Sequence, residues 1–502
     1  MFLLEEQEII MEQESNTKKV VKGMSAQTIV TLLIGLVSIL SFSIMSRLLS
    51  KEDFGFYAAI TAITVIFSSF TETGIGAALI QRKSLDKRYI DNAFTINLLF
   101  ALSISLLLVI LAGPLSSSII DKSVKDPLRL MAIPLFCNCL VSVNYSMMKR
   151  QLKFLRVGII SVISSIMGLV VGIVLALNDY GYYTIIYQTI VSSIVMLLLS
   201  FVFCNTHYGF ALDKTNFKSI FSFSGWLMAS VVFRNIAQQI DRLMMPRLIS
   251  VQSLGEYVRP KEFVGQISTR MNEIFDTVLF PILSGFQDEK ARLASAFRRS
   301  YYYMNIFSML LTLAVVFNSE LIIRIFLGND WLDLRNLTMV VACSLLFNTV
   351  GRLADCYLRS MGMTKQQFYF RAVETIVASV AVIVGYRWGV MGVAVLVMLS
   401  NSAIKIAKVL FICNKIDLSF KDLFILHFSS WKFALVMLPP IIAAYTLSNH
   451  TITGCIIILA VFLVSSALTF LVFPGIVGEQ YKVEVYHQII SFLNKKFKKN
   501  KI

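Results

Sequence analysis

Apolar runs of about 20 residues recur along this chain from end to end, separated by short polar breaks. A helical run of that length matches the hydrocarbon thickness of a bilayer, and a helix satisfies all of its own backbone polar groups there. Fourteen runs qualify as spans, at about 24–46, 54–80, 93–113, 128–148, 155–177, 182–204, 219–244, 254–284, 300–327, 336–358, 366–386, 389–411, 431–448 and 452–474. The seventh and eighth are the most polar. The ninth is expected to break near Asn318-Ser319-Glu320. Composition agrees: 56% of the 502 residues are hydrophobic and 15% charged, where a soluble domain carries about a quarter charged residues. The expected fold class is an all-α polytopic membrane protein with about 14 transmembrane helices.

The net charge of +16 would suggest nucleic acid in a soluble protein. Here the basic residues gather in alternate breaks. Those at 82–91, 149–156, 207–218, 285–299, 359–371 and 413–432 together hold 20 of them. That bias places both termini and the basic breaks in the cytoplasm, with no nucleic-acid partner expected. The acidic first 23 residues read as a cytoplasmic segment rather than a signal peptide. The basic tail, 475–502, suits either solvent or an anionic leaflet. No extramembrane segment is long enough for a catalytic domain, and no phosphate-binding loop, paired-carboxylate site or Ser/His/Asp arrangement is present. The seven cysteines lie in or at the ends of apolar runs without a CxxC pair, and the four histidines are scattered. Neither an enzyme nor a metal or cofactor site is expected.

One pattern occurs twice. Arg47-Leu48-Leu49-Ser50 followed by Gly55-Phe56-Tyr57 returns 200 residues later as Arg247-Leu248-Ile249-Ser250 followed by Gly255-Glu256-Tyr257. A second echo joins Tyr145-SMMKRQLKF to Tyr357-LRSMGMTKQQF. The spacing predicts two parallel, pseudo-symmetric six-helix bundles, 24–204 and 219–411, with 431–474 as two added spans.

Charges inside spans are expensive. Seven ionisable residues fall deep: Arg234, Asp241, Arg270, Glu273, Asp276, Arg352 and Asp355. Facing lipid, they would together cost roughly 17–25 kcal/mol. They are therefore expected to face one another or a wet cavity. Arg234, Gln238 and Asp241 stand at i, i+4 and i+7, on one helix face. Two readings stay open. Arg270 with Glu273, and Arg352 with Asp355, form i, i+3 pairs that would neutralise internally. Alternatively Arg234, Gln238, Arg270 and Arg352 line a chamber that holds an anion, since guanidinium pairs bidentately with phosphate. Arg234 has no acid within one turn. Glu72, in Thr71-Glu72-Thr73-Gly74, is a further lining candidate, and Glu374 a minor one.

The segment Arg47 to Lys83, RLLSKEDFGFYAAITAITVIFSSFTETGIGAALIQRK, resembles the start of Wzx-type flippases of the polysaccharide transporter family, within the MOP superfamily. The match is closest to the colanic acid and teichuronic acid exporter branch. It rests on Leu48-Leu49-Ser50, Asp53-Phe54-Gly55, Glu72-Thr73-Gly74 and Ile80-Gln81-Arg82, then on Arg150 to Phe154 and Leu254-Gly255-x-Tyr257. Glu72 stands where the pattern has Asp and keeps the charge. The resemblance implies a V-shaped pair of bundles, like a MATE transporter, working by alternating access. It implies a polyprenyl-diphosphate-linked oligosaccharide as cargo, in the bacterial cytoplasmic membrane, with membrane lipids and glycan polymerase or export machinery as partners. Asp241, Glu273, Asp276, Asp355 and Glu72 are the candidates for a coupling H⁺ or Na⁺. The alternatives are a cation-coupled multidrug exporter of the same superfamily, or a membrane glycan polymerase or acyltransferase.

Overall fold

The computed structural model describes residues 30–71, 76, 79–80, 82, 85–120, 124–206, 208–211, 214–285, 289–447 and 452–472. The segment 1–23, Glu72 and the tail 475–502 lie outside the described residues. All regular structure among the described residues is helical. The long helices are α1 (Val30–Leu48), α2 (Lys51–Thr71), α3 (Lys87–Ile119), α4 (Ala132–Arg150), α5 (Phe154–Ala176), α6 (Tyr183–Cys204) and α7 (Lys214–Leu248). There follow α8 (Val251–Ser284), α9 (Lys290–Phe317), α10 (Leu345–Ser360), α11 (Thr364–Gly385), α12 (Gly389–Lys415), α13 (Phe420–Leu447) and α14 (Ile452–Val472). Each expected span has one of them at its centre. Among the described residues, eight stretches are long and apolar enough to cross a bilayer, and two shorter apolar helices, Ala434–Thr446 and Ile456–Ser466, lie within α13 and α14.

Helix α3 shows why the solvent is lipid. Ile104, Leu108 and Ala112 are buried, while Leu99, Leu102, Leu106 and Ile110 are exposed on the other side. A soluble helix would be polar on that outer face.

Packing divides the chain into two compact units. The first runs to Arg259 and takes in Phe326–Gly328 and Ala378–Val390; the second covers Pro260–Ile325, Asn329–Val377 and the chain from Met391. The first unit includes α7, which packs against α2 and α3. Its core joins Ile60 and Ile63 of α2, Leu108 of α3, Leu135 of α4 and Ile186 of α6. Helices α5 and α6 lie close along Ser164, Gly168, Gly172 and Ala176, all buried and four apart. Small residues at that spacing let membrane helices approach where no hydrophobic force drives them together.

The basic breaks also carry structural work. Arg150 donates to the carbonyls of Leu79 (2.8 Å), Ile80 (3.1 Å) and Arg82 (2.6 Å). Arg156 donates to Phe203 O at 3.1 Å, near the end of α6. Both satisfy carbonyls that a helix end leaves over.

The repeated pattern becomes one helix crossing in the first unit. Helices α1 and α7 end at Leu48 and Leu248, and α2 and α8 begin at Lys51 and Val251. Ser50 and Asp53 cap α2 reciprocally: Asp53 N–H donates to Ser50 Oγ (3.2 Å) and Ser50 N–H to Asp53 Oδ2 (3.0 Å). Ser250 Oγ accepts from Ser253 N–H at 3.0 Å in the matched place. The two helices then touch at their glycines. A Cβ on Gly55 would lie 1.9 Å from Val251 O, and one on Gly255 1.7 Å from Lys51 O. Only glycine permits that backbone contact. Lys51 Nζ and Glu256 stand 3.9 Å apart beside it.

In the second unit α9 packs against α10 and α13, and α13 against α14. Its core holds Phe297 and Tyr301 of α9, Leu353 and Tyr357 of α10, and Val409 and Ile412 of α12. Helix α9 ends at Phe317, and a short helix, Ser319–Ile322, restarts after Asn318. Glu320 in that restart accepts from Arg324 (2.9 Å) and lies 3.5 Å from Arg335. Six of the seven cysteines are described; they are unbridged, and all but Cys343 are buried.

Candidate functional site

In the first unit α7 carries the stripe expected from sequence. Arg234 is half-buried, Gln238 exposed and Asp241 buried. Asp241 is 2% exposed, and Tyr257 Oη donates to its Oδ2 at 2.8 Å. Its Oδ1 accepts from the Arg242 backbone N–H at 2.9 Å. Asn235, the residue after Arg234, donates through Nδ2 to Ser69 Oγ of α2 at 2.7 Å. Arg259 of α8 is a deep cation that the count of seven did not include. It lies between the rings of Phe42 (3.9 Å) and Phe54 (3.8 Å) and donates to Phe42 O (2.9 Å) and to Ser46 Oγ. Cation–π contact in a desolvated place is worth about 2 kcal/mol.

Arg270, Glu273 and Asp276 fall on the backbone of α8, and their side chains lie outside the described residues. Glu72 does as well.

The second unit brings together charges from three helices. Asp355 (α10) accepts from Arg371 Nη2 (α11) at 2.6 Å and from Lys408 Nζ (α12) at 3.2 Å. Glu374 (α11) accepts from Arg371 Nη1 at 2.7 Å and stands 3.7 Å from Lys408 Nζ. Two carboxylates and two cations form a closed, neutral quartet. Its members sit about one and a half to three turns inside the ends of their helices. Lys408 is 1% exposed, which only a compensated ammonium tolerates.

Pairing of Asp355 with Arg352 one turn away was one of two readings left open; the short contacts of Asp355 are to Arg371 and Lys408, and Arg352, half-buried, adds its charge from α10. Arg371 read as a basic break residue and proves to be the centre of the quartet. Glu374 is promoted from a minor candidate. Lys405 and Lys408 were missed. Their signal was present as two lysines at i, i+3 inside the apolar run 389–411.

Lys405 is placed differently from Lys408. Its Nζ donates to Asn348 Oδ1 of α10. Its stem crosses α10 at Gly351, where a Cβ would lie 2.6 Å from Lys405 Cγ. The described residues offer no metal-binding cluster of His, Cys, Asp and Glu.

A family model described as "Polysaccharide biosynthesis protein" matches residues 44–336. Teichuronic acid biosynthesis protein TuaB of Bacillus subtilis (strain 168) is 23% identical over 71% of this chain and 74% of its own length. Succinoglycan biosynthesis transport protein ExoT of Rhizobium meliloti (strain 1021) is 23% identical over 68% of this chain and 69% of its own. Lipopolysaccharide biosynthesis protein WzxC of Escherichia coli (strain K12) is 20% identical over 73% and 75%. Among solved structures, lipid II flippase MurJ in an inward closed conformation superposes with a TM-score of 0.69 at 17% identity, over 88% of this chain and 98% of that one. An inward-facing MATE multidrug transporter of the MOP superfamily gives 0.63 at 13% identity, over 76% and 94%. The fold is therefore the one these two transporters share.

Proposed function

The chain belongs to the polysaccharide biosynthesis protein family, and from that premise we propose that it turns a polyprenyl-diphosphate-linked oligosaccharide from the cytoplasmic to the outer leaflet of the bacterial cytoplasmic membrane. The observation that carries this reading is the family match, with relatives named for the making or transport of several different polysaccharides. The physical need is plain: hydroxyl-rich glycan cannot shed its water into hydrocarbon, so it needs a wet path while its lipid tail stays in the bilayer. The cargo is moved and not chemically changed.

The repeat supports two bundles, 24–204 and 219–411, that alternate access, with 431–474 appended and both termini cytoplasmic. Arg234 and Gln238 hold the diphosphate, with Arg270 and Arg352 assisting. Asp241, Glu273, Asp276, Asp355 and Glu72 are the acidic candidates for a coupling ion. Glycan polymerase or export machinery would receive the product. A multidrug exporter is the second reading, favoured by fold alone; the surplus of cations in the second unit suits an anionic cargo better.

Deletion of the chain should abolish surface polysaccharide and leave the lipid-linked precursor in the cytoplasmic leaflet. Surface polysaccharide that persists in the deletion strain removes the transport reading. A charged hydrogen bond contributes about 1.5–3 kcal/mol, so Arg234→Ala is expected to cut export about tenfold or more at unchanged protein level. Wild-type export from that variant would take Arg234 out of anion capture.

A further inference from the structure

Lys405 is the one lysine of this cluster that the quartet does not balance. Among the described residues, the charged groups facing it are Asp355 of α10, Arg371 and Glu374 of α11, and Lys408 of α12; Arg352 adjoins Gly351 on α10. Both carboxylates are already engaged at 2.6–3.7 Å by Arg371 and Lys408. Lys405 bonds instead to a neutral amide oxygen on Asn348. It lies one helical turn farther from the end of α12 than Lys408 does. Gly351 leaves the groove through which its stem reaches Asn348.

A charged Lys405 therefore adds a cation to a site whose anions are spent, whereas a neutral amine there costs no charge burial. An amide oxygen accepts from an ammonium and, more weakly, from an amine, so Asn348 is a partner to both states. A carboxylate partner would hold the proton in place. Two of the acids named as coupling candidates have described side chains, and both are held differently: Asp355 lies in the quartet, and Asp241 takes bonds from Tyr257 and the Arg242 backbone.

We propose that Lys405, seated on Gly351 and Asn348, is the proton-carrying group of this transporter. The ammonium gives its proton to water on one side of the membrane and becomes an amine. The amine takes a proton from water on the other side, so one proton crosses for each cycle. The coupling ion would be H⁺, and the carrier a base in place of an acid. This rests on the transport reading for its purpose, and not for its chemistry.

The test has a cellular and a purified arm. In cells, surface polysaccharide is measured against external pH, with protein level checked in membranes. Asn348→Asp supplies a carboxylate that pins the ammonium, and Lys405→Arg cannot lose its proton. Both are expected to reduce export at least tenfold and to flatten its pH dependence. A wild-type pH profile in both overturns the proposal. In the purified arm, wild type is titrated against Lys405→Met. Wild type should release one more proton between neutral pH and the ordinary lysine range, about 10.4. An equal count overturns the proposal, whatever the protein transports. Loss of the transport reading itself would show separately, as unchanged polysaccharide in the deletion strain.

Discussion

Replacing Asp355 with alanine is expected to destabilise the second unit by about 3–5 kcal/mol, the usual result of removing one partner from a buried ion pair. The carboxylate is shared, which is why the loss is large. Arg371 keeps Glu374 at 2.7 Å, but Lys408 loses its 3.2 Å contact and retains only the one at 3.7 Å. Lys408 is 1% exposed and cannot reach water without moving α12. Thermal unfolding of the purified protein in detergent measures the effect, and the amount found in membranes should fall with it. The diagnostic variant is the double one. Asp355→Ala with Lys408→Met removes one charge of each sign and should recover much of the loss, giving a coupling energy well away from zero. Additive single effects would mean that the quartet is not one electrostatic unit.

The second large effect is steric. Gly255→Ala sets a methyl group 1.7 Å from Lys51 O and 3.0 Å from the backbone nitrogen of Gly55. No side chain can rotate aside, because the obstacle is backbone, so α2 and α8 must part. Overpacking costs about 1–3 kcal/mol where neighbours yield, and the upper end or beyond is expected here. Gly55→Ala should behave alike, since its Cβ would meet Val251 O at 1.9 Å. The pair should be less than additive, because either one opens the same contact. Gly265, on the same α8, has nothing within 4 Å of a Cβ; Gly265→Ala should be neutral or stabilise by about 0.5–1 kcal/mol. Thermal stability of the three variants separates the cases, and equal behaviour at positions 255 and 265 would sink the steric argument.

Hydropathy was enough to place a helix at each expected span, because membrane helices announce themselves by length and by the absence of charge. It was also enough to expect the break after α9, where Asn318-Ser319-Glu320 interrupts the run. The repeat pointed to Gly55 and Gly255 as matched positions but not to their contact, since two glycines 200 residues apart say nothing about distance. The quartet was hidden for a related reason. Its members come from positions 355, 371, 374 and 408, and local spacing offered Asp355 a nearer partner in Arg352. Arg371 stands at the edge of a basic break and looked topogenic. Lys405 and Lys408 were masked by the strength of the run around them. Arg259 was overlooked because its partners are the faces of Phe42 and Phe54, which carry no charge to search for.

The crossing of α2 over α8 has a further consequence. Gly55 rests on residue 251 and Gly255 on residue 51, so each copy of the pattern presents to the other the same position it receives. Reciprocity of that kind defines the isologous interface of a two-fold homodimer. Position 51 is lysine where its counterpart, 251, is valine, and position 256 is glutamate where its counterpart, 56, is phenylalanine. One side of the pseudo-axis thus holds an ion pair, and the other holds the apolar residues Val251 and Phe56. The contact has the form of a dimer seam within one polypeptide, and its two sides differ in charge.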